Sequence, residues 1–240
     1  MDSKRYSSFS GIIREIIRSK KENDLFHNMS VAINKLEFDF FAYGVRIAYP
    51  VTKPTFLLKN NYPISWQRRY KEENFVEIDP TVGHGISSTA PIVWDASRTS
   101  QAEGFWEEAY ASGLTTGWAQ SMILAPSVVG MLTFSRNSSS ISSDELFEKS
   151  PILLWLNSTF QSTYKELLLP RLSSTHNAKL SPREIEILRW CSDGKTSEEI
   201  AVILGLQART VNFHVANAIK KLNVTNKTSA AVRAIQKSII

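Results

Sequence analysis

A single cysteine, Cys191, in 240 residues leaves no disulfide framework and no Cys-based metal cluster, as expected of a protein in a reducing cytoplasm. It falls on a helical stripe with Ile185 and Leu188 and reads as a small buried hydrophobe. Histidine is also scarce. His27, His84, His176 and His214 have no metal-ligand spacing, and neither a nucleophile elbow nor a Gly-rich phosphate loop is found. His84, between Gly83 and Gly85, reads as a turn residue. The sequence thus points away from an enzyme and from any cofactor. No apolar run is long enough to cross a bilayer, and the opening MDSKRYSSFSGIIREIIRSKKEND lacks the apolar core and cleavage site of a signal peptide. These absences point to a cytoplasmic chain with no membrane partner.

Net charge is missing from most of the chain, whose first 176 residues hold 18 Lys/Arg and 18 Asp/Glu. The formal net charge is +5, and residues 177–240 carry all of it, with ten Lys/Arg against five Asp/Glu. Charge concentrated in this way is the footprint of a polyanion binder. Within that quarter, Ser181-Pro182-Arg183-Glu184 forms a capping box with proline at the first helical position. Asp193-Gly194 stops the helix. A second short helix spans about Ser197 to Leu204, and Gly205 permits the tight turn of a helix-turn-helix. In the third helix, stepping 100° per residue puts Val211, Val215, Ala218, Ile219 and Leu222 on one side. Asn212, Phe213, Ala216, Asn217 and Lys220 fall opposite, with His214 and Lys221 at the flank. No acid occurs from Ala208 to Leu222. Amides suit base edges, Phe a thymine methyl, Ala close approach and Lys phosphates, which is the chemistry of a helix in the major groove of double-stranded DNA.

The first 176 residues read as a second domain, of mixed class. Two helices cover 5–36; strands are expected over Phe38–Tyr49, Thr55–Leu58, Ile92–Trp94, Gly117–Ala125 and Val129–Ser135. Helices are expected over Pro63–Asn74, Ala102–Ser112 and from the capping box at Ser142 to about Leu169, where Pro170 ends the last one. The fold class is therefore α+β: an N-terminal α-β-α sandwich on an antiparallel sheet, then an all-α, four-helix helix-turn-helix domain. The expected divisions are 1–169, a linker 170–179, and 180–240.

One constellation in the sandwich stands out: Tyr62, Trp66 and Tyr70, spaced by four, with Asp79-Pro80-Thr81 and Trp94. Polar-tipped aromatics along one helix face can line an apolar cavity while offering OH and NH donors, and Asp79 would supply an acceptor. Spacing alone equally describes an ordinary core, with Asp79 a turn residue before Pro80.

The C-terminal segment resembles the DNA-binding domain of the LuxR family of transcription regulators at Glu184, Leu188, Gly194-Lys195-Thr196, Glu199-Ile200-Ala201, Thr210-Val211, Phe213-His214, Lys221-Leu222 and Asn226-Lys227. Two-component response regulators share that segment, but their N-terminal acidic pair and βα alternation are missing here. The N-terminal pattern is instead similar to the acyl-homoserine lactone-binding domain of quorum-sensing members, through Phe40-Phe41, Gly44, Asn61-Tyr62-Pro63, Asp79-Pro80, Phe105-Trp106-Glu107-Glu108-Ala109 and Leu153-Leu154-Trp155. It looks closest to a Pseudomonas receptor of that family, from which Ala42 departs, a serine standing there near the head group.

The resemblance implies that Trp66 donates to the lactone carbonyl, that Asp79 accepts from the ligand amide and that Tyr62 donates to the amide carbonyl. It further implies that Tyr70 and Trp94 wall the head group with Gly117 behind them, and that Thr133 supports the acyl carbonyl end. Thr81, Phe105 and Leu114 complete the expected ligand site. Thr196, Thr210, Asn212, Phe213, Ala216, Asn217, Lys220, Lys221 and Lys227 make up the expected DNA site. The resemblance also implies a homodimer on a palindromic promoter site, with RNA polymerase as a further candidate partner. A DNA-binding regulator with another small-molecule ligand, or with none, is the alternative; hydrolysis of the lactone by this chain is not expected.

Overall fold

The computed structural model describes residues 3–98, 102–173 and 179–240, which divide into two compact units, Met1–Leu167 and Leu168–Ile240. In the first, five strands form one antiparallel sheet: β1 (Phe40–Ile47), β2 (Thr55–Asn60), β3 (Ile92–Asp95), β4 (Thr116–Ala125) and β5 (Val128–Arg136), in the order β2-β1-β5-β4-β3. Side chains alternate along β1, so each face receives its own set of residues. Phe41, Tyr43 and Val45 are buried on one face. There α2 (Glu22–Asn34) and α6 (Ser143–Ser173) cover the sheet, and α1 (Ser3–Arg18) packs on α2. Phe26 of α2 meets Phe41 with ring centroids 5.5 Å apart, and Phe160 and Tyr164 of α6 meet Tyr43 at 4.9 and 4.7 Å.

Ala42, Gly44 and Arg46 point to the opposite face, beneath α3 (Ile64–Glu72), a 3-10 turn at Phe75–Glu77, α4 (Pro80–Ser87) and α5 (Glu103–Ala111). The α-β-α sandwich read from the sequence is what the chain forms.

Two elements differ from expectation. The residues after Asp79 form a helix, and His84 lies within it rather than in a turn. Each glycine costs a helix about 1 kcal/mol, but local and tertiary terms oppose that here. Asp79 caps the helix, Pro80 supplies the first helical φ, and Gly85 lets the helix settle on β5, where a Cβ would meet Met131 Sδ at 2.7 Å. Helix α6 also runs past Pro170 to Ser173. Proline there forfeits one hydrogen bond in the last turn, which a helix anchored by Ile152, Leu153, Leu156, Phe160, Tyr164 and Leu168 tolerates. The first four residues of the expected linker are therefore helical, and its residues 174–178 lie outside the described residues.

The second unit has four helices, α7 (Pro182–Ser192), α8 (Ser197–Leu204), α9 (Ala208–Leu222) and α10 (Lys227–Gln236). Reciprocal capping boxes start α7 (Ser181 with Glu184) and α8 (Thr196 with Glu199), and Asn226 caps α10. Gly205, at φ 65°, ends α8 in the left-handed region that glycine tolerates. The buried residues of α7 are Glu184, Ile187 and Leu188; the expected stripe through Ile185 is displaced, Ile185 and Cys191 being half-buried. Ile187 packs with Ile200, Val211 and Val215, and Leu188 with Ala218, Leu222, Ala230 and Ala234.

Candidate functional site

Between the sheet and helices α3 to α5 lies a cavity of about 510 Å³. Its floor follows from strand register. Alternate residues of β1 pair across both neighbours as three rungs: Asn60–Ala42–Thr133, Leu58–Gly44–Met131 and Phe56–Arg46–Val129, and all nine line the cavity. Glycine at the centre of the middle rung leaves room above the sheet.

Of the ten residues expected at the ligand, Tyr62, Trp66, Tyr70, Asp79, Thr81, Trp94, Phe105, Leu114 and Thr133 all line this cavity. Tyr62 stands just before α3, since Pro63 is the N-cap, yet it still reaches the wall formed by Trp66 and Tyr70. Trp66 packs against Tyr70 and Phe105, with centroids 5.8 and 5.6 Å away. Gly117 does not line the cavity. It lies on β4 opposite Trp94, where a Cβ would collide with the Phe134 carbonyl oxygen and the Trp94 ring, so its bare backbone lets that indole lie flat.

Asp79 is the one carboxylate among the lining residues. Its Oδ1 accepts from the Thr81 N–H at 2.8 Å and the Thr81 hydroxyl at 2.7 Å, and Oδ2 accepts from the Tyr70 hydroxyl at 2.9 Å. Burial raises its pKa, opposed by these bonds from Thr81 and Tyr70. Burial likewise raises the Tyr62 and Tyr70 phenols, Asp79 adding to both, so each stays a hydrogen-bond donor. Sequence reasoning missed Trp106. Its indole N–H and that of Trp94 are buried in the cavity wall without a hydrogen-bond partner among the described residues. An unpaired buried donor costs about 1–3 kcal/mol.

On α9, Val211, Val215, Ala218 and Leu222 are buried, and Asn212, Phe213, Ala216 and Lys220 are exposed, as the helical phase requires; Ile219, Thr210 and Asn217 are half-buried. Phe213 is 62% exposed, a large apolar ring presented to solvent. Asn212 Oδ1 accepts from the Ser197 hydroxyl at 2.6 Å, which turns its amide NH2 outward. Arg209, absent from the expected set, is exposed and falls in phase with Ala216 and Lys220; continuing the 100° count back from Val211 locates it. Three expected residues have prior commitments. Thr196 caps α8, Lys227 Nζ donates to the Lys195 carbonyl at 2.5 Å, and Lys221 Nζ donates to both oxygens of Glu184 at 2.8 and 2.9 Å. Lys221 is therefore not the free phosphate contact that its position suggested.

The family model described as the autoinducer binding domain matches residues 21–164, and that described as bacterial regulatory proteins, luxR family, matches residues 178–234. The chain is 41% identical over 223 residues to the transcriptional activator protein AnoR of Acinetobacter nosocomialis, covering 92% of this chain and 94% of that one. It is 35% identical over 226 residues to the regulatory protein SdiA of Escherichia coli, covering 93% and 92%. A crystal structure of Escherichia coli SdiA superposes with a TM-score of 0.79 at 33% identity, over 98% of this chain and 99% of that one. SdiA in complex with octanoyl-rac-glycerol gives 0.78 at 34% identity, over 98% and 96%. These relatives are transcription regulators and not enzymes. The chain belongs to the LuxR family of transcription regulators, an autoinducer-binding domain preceding a helix-turn-helix domain.

Proposed function

We propose that this protein is a cytoplasmic, ligand-gated transcription regulator that senses an N-acyl-homoserine lactone and binds a palindromic promoter site as a homodimer. The observation that carries this reading is the apolar cavity whose one carboxylate, Asp79, is flanked by Tyr62, Trp66 and Tyr70. A lactone amide needs an acceptor for its N–H and donors for its carbonyls, and few other ligands match that set with an apolar tail. Trp66 donates to the lactone carbonyl, Asp79 accepts the amide N–H, Tyr62 donates to the amide carbonyl, and Thr133 supports the acyl carbonyl end. The ligand completes a core that otherwise retains a void, so binding stabilises the fold.

Residues 1–169 bind ligand and dimerise, 170–179 connect, and 180–240 read DNA. The dimer is supported by a stripe on α6: Phe147, Pro151, Leu154 and Trp155 follow helical spacing and are all exposed, Phe147 at 83%. A second copy presents the same stripe about a two-fold axis, and a palindrome needs that symmetry. Lys220 and Arg209 hold phosphates while Asn212, Phe213 and Ala216 meet base edges. RNA polymerase is the further partner, as the relatives named activators suggest.

Mass spectrometry of protein purified from cells fed mixed acyl-homoserine lactones tests the reading. Retention of one lactone, with a mobility shift of operator DNA that depends on it, is the expected result; retention of none would overturn it. An acylglycerol is the second ligand class, favoured by the SdiA complex with octanoyl-rac-glycerol, and the same spectra distinguish it.

A further inference from the structure

The cavity floor changes character along β1. Its first rung, Asn60–Ala42–Thr133, is small and polar; its second, Leu58–Gly44–Met131, is apolar around a glycine; its third places Arg46 between Phe56 and Val129. Arg46 is half-buried, its guanidinium carbon lying 6.0 Å from the centroid of the Phe56 ring. Among the described residues no carboxylate pairs with it, and Asp79, the one acid of the cavity lining, is bonded by Tyr70 and Thr81 instead.

This side of the cavity floor meets the sheet edge, since β2 is the edge strand, and Phe56 and Leu58 remain 37% and 48% exposed. Arg46 lies four positions beyond Ala42 on β1, so the rungs span roughly 13 Å at ~3.3 Å per residue. A zigzag alkyl chain advances roughly 1.25 Å per bond of ~1.5 Å, so about ten carbons cover that distance.

We propose that the third rung is a second polar subsite, at which Arg46 binds an oxygen acceptor, a carboxylate above all, at the far end of an acyl chain of about ten carbons. This rests on the lactone reading, with the head group at the Thr133 rung and the tail running toward Phe56. A purely apolar tail subsite rejects a charged terminus, because burying an unpaired carboxylate is costly. A guanidinium held against an aromatic ring offers a paired, charge-assisted bond instead.

The experiment uses full-length protein purified with N-decanoyl-homoserine lactone. The bound ligand is displaced by the same lactone or by its analogue with a terminal carboxylate on an equally long chain, and retained ligand is counted by mass spectrometry. The wild type is expected to take the acid within about threefold of the decanoyl lactone. Arg46→Met should weaken the acid by about tenfold or more while leaving decanoyl lactone within about threefold, and Arg46→Lys should restore much of the loss. Rejection of the acid by wild type, or equal loss of both ligands in Arg46→Met with no rescue by lysine, overturns the subsite while leaving the lactone reading intact. Failure of wild type to retain decanoyl or any other acyl-homoserine lactone overturns both. Should Arg46→Met fail to fold, the acid-to-decanoyl affinity ratio of Arg46→Lys and its loss at high salt decide the matter, since a bond to the cation weakens with salt and an apolar contact does not.

Discussion

Lys221, near the end of the helix proposed to read DNA, donates to both oxygens of Glu184, 37 residues earlier in the first turn of α7. The Glu184 side chain is only 4% exposed and also accepts from the Ser181 N–H at 2.7 Å, so the pair joins the start of α7 to the end of α9. Burial alone would raise the Glu184 pKa, but Lys221 and Ser181 outweigh it and hold it below the ordinary carboxylate value. Lys221→Ala should therefore act on stability, at about 1–2 kcal/mol after allowing for the partial exposure of the lysine. Lys220→Ala should leave stability unchanged and lower the salt slope of operator binding by about one per half-site. Calorimetric melting and titrations at two salt concentrations measure both; a Lys221→Ala protein of unchanged stability and reduced salt slope would show that the pair opens on DNA.

Asp79 has two duties, capping α4 through Oδ1 and facing the cavity with Tyr70 on Oδ2. Asparagine caps helices as well as aspartate does, so Asp79→Asn should spare the fold of α4. It should cost ligand binding on the order of 2–3 kcal/mol, because an amide donor then meets the ligand amide. Trp66→Phe keeps the ring and loses the N–H, at about 1–2 kcal/mol. Reporter response against lactone dose reads both, and unchanged curves in both mutants would sink the head-group assignment.

Two glycines in the sandwich should respond oppositely to alanine. At Gly117 the added methyl meets the Phe134 carbonyl and the Trp94 ring, so Gly117→Ala should destabilise by about 1–3 kcal/mol and push Trp94 into the cavity. At Gly83, within α4, nothing lies within 4 Å, and Gly83→Ala should stabilise by up to about 1 kcal/mol. Soluble yield and melting temperature, with and without lactone, distinguish the pair.

These positions show what was legible in the sequence. The capping boxes, the α9 phase and the stripe of Tyr62, Trp66 and Tyr70 could be read because they depend on neighbours a few residues away; that the stripe faces a cavity rather than an ordinary core followed only from the resemblance. The α4 helix could not, because its glycines argue against helix until the contact of Gly85 with Met131 is known. Nor could the Lys221–Glu184 pair, which requires the packing of α7 on α9. The three-rung floor needs the register of β1 against two strands at once, and a one-residue slip would have put Tyr43 and Val45 there instead.

Arg136 and Lys149 bind Glu145 beneath the start of α6. Arg136 donates to Glu145 at 2.6 and 2.8 Å and Lys149 at 2.7 Å. Hydrogen bonds from Arg136 first, then from Lys149, hold the Glu145 pKa at about 2, against 4.5 for a free glutamate. A depressed folded-state pKa gives stability that is complete above about 4.5 and lost as pH falls from there toward 2. Glu145→Gln should lower the neutral-pH melting temperature and flatten its acid limb. If wild type and mutant had parallel melting profiles from pH 6 to about 2.5, Glu145 would not be the group responsible.

Ser197, at the start of α8, donates to Asn212 Oδ1, so one turn of the neighbouring helix fixes the orientation of an exposed amide. An amide held this way offers its NH2 to an acceptor such as adenine N7 or guanine O6 at one base position per half-site. Asn212→Ala should relax preference there by about 1–3 kcal/mol without changing the salt slope. Ser197→Ala keeps the amide but frees it to rotate, so preference should blur to include a donor-bearing base while affinity for the best site falls less than in Asn212→Ala. Titration of both mutants against the preferred site and its single-base variants measures this. Uniform weakening of every site by Asn212→Ala would mean that the amide holds the backbone rather than reads a base.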